Sequence, residues 1–229
     1  MRARDNPFAV HRVLAFRYQW SEVDWARQLD RLRTMSYQAA IVGPHGSGKT
    51  TLLEDLASRL ETVGQATWTF RLHTGDRQFP ARQFNEIREL PDSTIVMLDG
   101  AEQLSYWQWR RFSAIFRQSG RPLVVTLHSA GRWPTWMTSS SDVEILDQIV
   151  DRLHPDSGVE TRRINRQLFE KHRGNIRDAL REWYDIFARG AANETPCSPG
   201  EVRSAKRKTM DDTLPSLTLR VRTEYPSQS

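Results

Sequence analysis

The sequence has a single cysteine, Cys197, and it has no long apolar run. One cysteine excludes an internal disulfide and any zinc site built from several cysteines, which agrees with a reducing compartment. Crossing a bilayer takes an apolar stretch of about 18 residues, and no stretch of this sequence approaches that length. The N-terminus leads into no secretory hydrophobic segment. We therefore expect a cytoplasmic protein with no membrane partner.

A strong excess of one charge is also missing. The formal net charge is +5 over 229 residues, arginine is spread beside aspartate and glutamate, and only Lys206-Arg207-Lys208 forms a compact basic run. A basic balance makes nucleic acid a partner to consider. A solvated surface with a basic tail accounts for this charge somewhat better than a DNA groove does, and both interpretations stay open.

What the sequence does contain is a phosphate-binding motif. Residues 43–50 read Gly-Pro-His-Gly-Ser-Gly-Lys-Thr, which fits G-x-x-x-x-G-K-[ST], the P-loop. An apolar run at 37–42 suits a buried strand before the loop, and leucines at helical spacing follow it at 51–60. This context is the one that a P-loop requires. We expect a nucleotide to bind at Gly43, Pro44, His45, Gly46, Ser47, Gly48, Lys49, Thr50 and Thr51.

The residue types of this motif explain its chemistry. Glycine permits backbone conformations in which successive N–H groups point at a polyphosphate. The helix that begins near Lys49 adds unpaired amides and the positive end of its dipole. Lys49 should reach the β- and γ-phosphates, and the Thr50 hydroxyl should bind Mg²⁺. The predicted ligands are therefore ATP and Mg²⁺, although no motif in the sequence selects ATP over GTP.

Strands and helices alternate beyond this motif. Predicted strands cover residues 37–42, 66–72, 94–98 and 122–126, and predicted helices lie between them at 51–60, 79–90 and 104–118. The alternation favours βαβ units with right-handed crossovers, hence a parallel sheet that binds its ligand at the carboxyl ends of the strands. We predict an α/β fold, a P-loop NTPase three-layer α/β sandwich with a parallel sheet and a small C-terminal helical lid.

The chain divides into four predicted parts. They are an extended N-terminal segment at 1–20, a P-loop NTPase core at 21–138, a helical lid at 139–189 and a disordered tail at 190–229. Pro7 favours extended backbone before it, and Ser21 is a suitable N-cap for a helix that opens the core. The lid has helical stretches near 142–153, 160–173 and 175–189. The tail is rich in proline, serine, threonine and charge without periodicity.

Two regions near the end of the core are less regular. Residues 133–136 are predicted to form a loop, and residues 143–146 could form a short strand. Trp107 fits the apolar face of its helix and is predicted to lie in the core. Trp133 and Trp136 are placed in the loop, where a contact with a partner is open to them.

A second apolar run provides an acid for the metal. Residues 94–98 read Thr-Ile-Val-Met-Leu, as expected for a strand that is buried on both faces, and Asp99 ends this strand. The carboxylate should lie at the carboxyl edge of the sheet, beside the P-loop. We expect Thr50 and Asp99 to be the Mg²⁺ ligands. The alternative is that Asp99 belongs to a strand-end turn with Gly100.

The residues of the catalytic step are less defined. Glu102 is the carboxylate nearest to Asp99, and it could orient an attacking water or simply begin the following helix. Thr126 ends the strand at 122–126, and it could position a water near the γ-phosphate if that strand lies between the P-loop strand and the Asp99 strand. A plain strand-end threonine is equally consistent with the sequence. His128 is interpreted as a loop residue.

Arg177 is a candidate for the γ-phosphate. It lies just inside a helix that starts after Gly174, where a positive charge is locally unfavourable. This position favours a role toward an external anion. The alternative is a solvated arginine, or a salt bridge with Glu170 or Asp178.

Together these residues resemble those of the AAA+ ATPases. Residues 43–50 are similar to Walker A, 95–99 to Walker B, Thr126 to sensor 1 and 174–177 to the sensor 2 region of the lid. Asn6-Pro7-Phe8 resembles the N-terminal segment of origin-recognition-type and of transposition- or secretion-associated members. The resemblance covers residues 6–189.

The resemblance implies a Mg-ATP-driven conformational switch on a macromolecular partner, protein or DNA, and usually a homo-oligomer in which an arginine finger completes the neighbouring site. The sequence departs from the family in three ways. Gly100 stands where many members have the glutamate after the Walker B aspartate, no arginine finger is identifiable, and the fifth strand is faint. A nucleotide-gated DNA-binding or scaffold module with little or no hydrolysis is therefore the alternative. Small-molecule kinase activity lacks a recognisable acceptor pocket.

Overall fold

A computed structural model of the chain describes residues 5–13, 20–155 and 158–193. These residues form two compact units. The sheet unit is Trp20–Asp142, and the helical unit combines residues 5–13 with the described residues from Val143 onward. The last helix continues to Asn193, so the predicted tail at 190–229 begins too early. The rest of that tail, with Cys197 and the basic run, lies outside the described residues.

The sheet unit contains five strands within the described residues. They are β1 (Gln38–Val42), β2 (Thr67–Arg71), β3 (Ile95–Asp99), β4 (Leu123–Leu127) and β5 (Thr135–Thr138). Their order is β2-β3-β4-β1-β5, and every neighbouring pair is parallel. The α/β fold with a parallel sheet is therefore confirmed. β4 lies between the P-loop strand β1 and the Asp99 strand β3, so the side chains that end these strands meet at one edge.

Helices connect and cover the strands. They are α2 (Glu22–Thr34), α3 (Lys49–Thr62), α4 (Ala81–Glu89) and α5 (Tyr106–Ser119), and a 3-10 turn at Ala101–Gln103 follows β3. Ser21 caps α2 as predicted, because its Oγ accepts a hydrogen bond from the Asp24 amide at 3.1 Å. Every residue of β3 and β4 is buried, as expected for strands with helices on both faces.

The fifth strand is a point at which the sequence prediction was wrong. The chain was predicted to form a loop at 133–136 and a possible strand at 143–146, but β5 covers Thr135–Thr138 and Val143 begins helix α6. β5 pairs with β1 through a register shift. A strand of four residues that follows a proline carries too little periodicity to be recognised, and its assignment depends on pairing with β1.

The position of Trp107 was also predicted wrongly. Its side chain is 74% exposed, whereas Trp109 is 4% exposed and belongs to the core. Helix α5 begins at Tyr106 because Ser105 caps it, accepting a hydrogen bond from the Gln108 amide at 3.4 Å. The buried residues Trp109, Phe112 and Phe116 line one face of this helix, and Trp107, about 200° around the helix from Trp109, lies on the solvent side.

Trp133 and Trp136 are buried, at 3% and 1% exposure, so neither presents a surface to a partner. Each indole N–H has a main-chain acceptor: that of Trp133 donates to the Leu123 carbonyl at 3.2 Å, and that of Trp136 donates to the Gln28 carbonyl at 3.1 Å. Both residues therefore fix the chain around β5 against the core.

The helical unit consists mainly of α6 (Val143–Leu153), α7 (Val159–Lys171) and α8 (Ile176–Asn193). Residues 5–13 pack on it and contain one helical turn, α1 (Val10–Val13), so this stretch is not wholly extended as predicted. The Phe8 ring stacks on Trp183 with centroids 5.5 Å apart. The buried Asn6 side chain donates to the Tyr184 carbonyl at 3.0 Å. In the described part of the chain no helix has the length and apolar character of a membrane span.

Candidate functional site

The loop between β1 and α3 has the backbone geometry of a phosphate-binding loop. Gly46 and Gly48 have φ values of 74° and 84°, in the left-handed region that favours glycine. Gly48 is the N-cap of α3, so the unpaired amides of that helix lie at the end of the loop. A Cβ atom on Gly43 would lie 2.2 Å from the Ser139 carbonyl oxygen. The close packing of the loop against the end of β5 therefore excludes any side chain at position 43.

Lys49 is buried within this loop at 8% exposure. Its Nζ donates to the carbonyl oxygens of Gly43 and Pro44, each at 2.7 Å. The loop is further held by Ser47, whose Oγ donates to the Pro44 carbonyl at 2.9 Å, and by a hydrogen bond from the Ser139 hydroxyl to the Ser47 carbonyl. The ammonium group therefore lies where it can exchange carbonyl oxygens for phosphate oxygens.

The carboxylate of Asp99 joins three predicted site residues. The Thr50 hydroxyl donates to Oδ2 at 2.9 Å, and the Thr126 hydroxyl donates to Oδ1 at 2.7 Å. Thr126 is fully buried, and its Oγ1 also accepts a hydrogen bond from the Gly100 amide at 2.7 Å. The one hydroxyl proton of Thr126 is used on Asp99, so this residue orients the carboxylate. It could position a water only as an acceptor.

Arg71 is a site residue that the sequence reasoning missed. It is the last residue of β2 and lies opposite Asp99 in the strand register. Its Nε donates to Asp99 Oδ2 at 2.8 Å, and its Nη2 donates to Oε1 of Glu54 on α3 at 3.0 Å. A signal existed, because Arg71 is the last residue but one of the strand predicted at 66–72, at the same sheet edge. The sequence alone did not reveal that this strand is the neighbour of β3.

Gly100 stands directly after Asp99 and cannot carry a side chain. Its φ is 83°, and a Cβ would lie 2.8 Å from the Leu72 carbonyl oxygen. A glutamate at this position is therefore excluded by the backbone, and Glu102 in the 3-10 turn is the nearby carboxylate. Glu102 Oε1 lies 2.8 Å from His128 Nε2. Its Oε2 is buried without a hydrogen-bond partner among the described residues.

The Glu102–His128 pair has an unusual electrostatic environment. Burial raises the pKa of Glu102, and the nearby Asp99 charge adds to this effect. Burial, together with the charges of His45 and Lys49, lowers the pKa of His128 to about 4. At neutral pH the imidazole is therefore uncharged, and its 2.8 Å contact with Glu102 is not an ion pair.

His128 does not behave as the simple loop residue that was predicted. Besides its contact with Glu102, its ring lies 3.8 Å, centroid to centroid, from the ring of His45 in the P-loop. This histidine therefore links the P-loop to the turn after β3. The available signal was its position two residues past Thr126, the end of the strand predicted at 122–126.

Arg177 is the second residue of α8 in the helical unit and is exposed. Its proposed salt-bridge partner Asp178 instead accepts hydrogen bonds from Asn175 at 2.6 Å and from Arg181 at 3.1 Å. A contact between Arg177 and a γ-phosphate stays a prediction from the family resemblance.

The side chains at the sheet edge fit Mg²⁺ and a nucleotide. The Thr50 hydroxyl and the Asp99 carboxylate are hard oxygen donors that already lie within hydrogen-bond distance of each other. Mg²⁺ in nucleotide sites commonly binds one or two protein oxygens, with substrate phosphates and waters as its remaining ligands. The glycine loop could supply amides to phosphates, and Lys49 could supply a positive charge.

Comparison with known proteins agrees with this geometry. No protein-family model and no curated protein matches the sequence significantly. The RuvB Holliday junction branch migration motor of Thermotoga maritima matches with a TM-score of 0.52 and 18% identity, over 78% of this chain and 67% of that one. AMPPCP-bound DnaA of Aquifex aeolicus matches with a TM-score of 0.51 and 15% identity, over 76% of this chain and 64% of that one. The chain thus spans about two thirds of the length of either structure.

The parallel sheet and its loop have the fold of the P-loop NTPases. Within that class, the likeness to RuvB and DnaA shows that it has the fold of the AAA+ ATPases, as the motifs predicted.

Proposed function

We propose that this protein binds Mg-ATP and acts as an AAA+-type ATPase, a conformational switch on a macromolecular partner. The observation that carries the proposal is the meeting of Thr50, Asp99 and Thr126 in one hydrogen-bonded group at the end of the P-loop. These residues come from three separate segments of the sequence. The AMPPCP bound to the similar DnaA fold supports ATP as the nucleotide.

Each group has a separate role in the proposed site. The main-chain N–H groups of residues 45–51 and the ammonium of Lys49 hold the phosphates, and Thr50 and Asp99 hold Mg²⁺. Thr126 fixes the Asp99 carboxylate through the 2.7 Å hydrogen bond. Arg177 is proposed to bind the γ-phosphate. The protein would work in the cytoplasm, as a homo-oligomer and with a protein or DNA partner.

Glu102 is the proposed general base for hydrolysis. Its pKa is raised by burial, and its buried Oε2 has no partner among the described residues, so a proton acceptor is left at the sheet edge. The carboxylate would take a proton from water while the water oxygen attacks the γ-phosphorus and ADP leaves. His128 would hold the other oxygen, Oε1, in place.

Titration calorimetry with Mg-ATP tests the nucleotide site. The unsubstituted protein is expected to bind Mg-ATP, and Lys49→Ala is expected to lose this binding, because the variant lacks the phosphate-facing ammonium. Lys171→Ala is the matched control, since Lys171 is exposed and pairs with Glu182 on the helical unit. If the unsubstituted protein produces no binding heat, the proposal is wrong.

The second candidate function is a nucleotide-gated DNA-binding or scaffold module, and one surface favours it. Tyr106 and Trp107 are 56% and 74% exposed, and their rings contact each other with centroids 5.3 Å apart. The exposed Arg110 and Arg111 follow on the same helix, which carries no acidic residue. Exposed aromatic rings beside arginines suit a single-stranded nucleic acid, in which unpaired bases stack and phosphates pair with the guanidinium groups.

Fluorescence anisotropy with a labelled oligothymidine at low salt tests this second candidate. Trp107→Ala and the double variant R110A/R111A are expected to weaken binding. The double variant R82A/R166A removes the same charge from exposed positions elsewhere and is expected to retain it. Equal affinities of R110A/R111A and R82A/R166A would leave only general electrostatic attraction and exclude this surface.

A further inference from the structure

One guanidinium group connects two carboxylates that belong to different parts of the proposed site. Arg71 at the end of β2 donates through Nε to Asp99 Oδ2 at 2.8 Å and through Nη2 to Glu54 Oε1 at 3.0 Å. Glu54 lies on α3, the helix that begins at the P-loop. Arg71 therefore pairs at the same time with the acid proposed for Mg²⁺ and with the helix that carries the P-loop.

The pairing with Asp99 competes with a metal. Oδ2 of Asp99 accepts hydrogen bonds from both Thr50 and Arg71, and Thr50 and Asp99 are the proposed Mg²⁺ ligands. An arginine stays protonated throughout the physiological pH range. Mg²⁺ requires near-ideal octahedral geometry at about 2.0–2.1 Å from its oxygen ligands. A positive guanidinium on the same oxygen opposes the approach of a second cation.

Burial explains why the arginine is needed when no metal is bound. The Asp99 side chain is only 9% exposed, and a buried carboxylate is costly unless a hydrogen-bonded positive charge compensates it. Arg71 supplies that charge. Arg71 and Glu54 are each 48% exposed, so their pairing is screened by water and the guanidinium can shift toward Glu54 at little cost.

We propose that Arg71 is a positioning residue that sets the Mg²⁺ requirement of the site: it compensates Asp99 in the metal-free state and transfers to Glu54 when Mg²⁺ binds. The inference rests on the proposed nucleotide site and deepens it. It assigns opposite effects to the two partners of the arginine. Without Arg71, the Asp99 carboxylate loses its compensating positive charge, so Mg²⁺ binding at Asp99 is favoured. Without the Glu54 charge, Arg71 pairs with Asp99 alone, so Mg²⁺ binding is opposed.

The test is a Mg²⁺ titration of the full chain with a fluorescent ATP analogue held at a fixed concentration. The measured quantity is the Mg²⁺ concentration at half-maximal analogue binding. Arg71→Gln is expected to lower it by about fivefold and Glu54→Gln to raise it by about twofold, the range of a half-exposed ion pair. The double variant R71Q/E54Q is expected to follow Arg71→Gln, since the proposal assigns the effect of Glu54 on Mg²⁺ to its pairing with the arginine.

A second arginine–glutamate pair provides the matched control. Arg59 on the same helix donates two hydrogen bonds to Glu22. Glu22 is remote in sequence from the P-loop and from Asp99. Arg59→Gln and Glu22→Gln are expected to leave the Mg²⁺ midpoint unchanged. Urea denaturation of every variant without ligand measures the free energy of unfolding. A general loss of stability would lower this free energy for both variants of either pair. A metal effect would instead shift the Mg²⁺ midpoint in opposite directions for Arg71→Gln and Glu54→Gln.

The outcomes separate this inference from the function beneath it. If the unsubstituted protein does not bind the analogue at saturating Mg²⁺, both the proposed function and the inference are wrong. If it binds but Arg71→Gln has an unchanged or higher Mg²⁺ midpoint, or Arg71→Gln and Glu54→Gln shift the midpoint in the same direction, only the role of Arg71 is overturned. Should Arg71→Gln fail to fold, the conservative Arg71→Lys and the Glu54→Gln variant still decide it, because Glu54→Gln must raise the midpoint.

Discussion

Glu102 and His128 meet at the edge of the sheet, with Oε1 of the carboxylate 2.8 Å from Nε2 of the imidazole. The pKa of His128 is lowered to about 4, so the ring is neutral at physiological pH. A neutral imidazole beside one carboxylate oxygen leaves the negative charge of Glu102 in place. The other oxygen is then left as the basic atom.

Replacement of this carboxylate should separate binding from hydrolysis. Glu102→Gln keeps the shape of the side chain but cannot accept the proton of water, so phosphate release is expected to fall by about 10²- to 10⁴-fold. The burial that raises the pKa of Glu102 means that the folded protein holds this proton more tightly, so its stability falls as pH rises through the raised pKa. The glutamine removes that penalty. Unchanged Mg-ATP binding and equal or higher stability at pH 7.5 are therefore expected, and an unaltered phosphate release rate would refute the base assignment.

His128 should make stability depend on pH in the acidic range. Its pKa is about 4 in the folded protein against 6.5 for the unperturbed group, so between these values the unfolded chain binds a proton that the folded chain does not. Stability is therefore expected to rise with pH from about 4 to 6.5 and to be lost as pH falls through this window. His128→Gln should flatten the urea-denaturation profile in this window. His154→Gln, at a histidine of the helical unit, serves as the control, and a similar flattening there would contradict the assignment to His128.

The hydroxyl of Thr126 should matter for both stability and metal binding. Thr126→Val leaves the Gly100 amide and one oxygen of the buried Asp99 without their shared partner, with an expected loss of about 1–3 kcal/mol in the free energy of unfolding. Thr126→Ser keeps the hydroxyl and should lose much less. Urea denaturation of both variants checks this, and equal losses would mean that the methyl group is the important part of the side chain.

Gly100 should tolerate substitution less well than other glycines with positive φ. Gly64 has a φ of 77° with open space around it, whereas a Cβ on Gly100 meets the Leu72 carbonyl at 2.8 Å. Gly64→Ala is expected to lose about 1 kcal/mol from backbone conformation alone. Gly100→Ala should lose more than about 2 kcal/mol, because the Leu72 carbonyl must also move. Equal losses in urea denaturation would show that the space around Gly100 adjusts freely.

The two tryptophans of α5 should respond in opposite ways. Trp109 is 4% exposed, so Trp109→Ala is expected to lose about 3–5 kcal/mol of stability. Trp107 is 74% exposed, so Trp107→Ala should change stability by less than about 0.5 kcal/mol. Thermal and urea denaturation of the two variants check this contrast, and a large loss at Trp107 would place that ring in a packed environment.

Local patterns in the sequence were sufficient for the central part of the site. The P-loop, the strand that ends at Asp99 and the strand that ends at Thr126 are each defined by a few consecutive residues, and the edge of a parallel sheet brings their ends together. The assignment of Trp107 to the core failed because the buried face is set by Trp109, Phe112 and Phe116, and Trp107 lies about 200° around the helix from Trp109.

The contacts that the sequence could not predict depend on neighbours that are distant along the chain. Arg71 reaches Asp99 because β2 and β3 are adjacent, and His128 reaches Glu102 because β4 lies next to β3. Strand order is not encoded in any short motif. The same is true of β5, whose four residues become a strand only through their pairing with β1.

The stacking of Phe8 on Trp183 joins two stretches of chain that ribosomal synthesis separates by the whole sheet unit. The amino-terminal ring is made first and has to wait for its partner until the sheet unit and helices α6 and α7 have been translated. A fragment that starts at Val143 would lack this ring and leave the Trp183 indole without its stacking partner. Recombinant production of the helical unit should therefore include residues 5–13, either joined to it by circular permutation or supplied by co-expression.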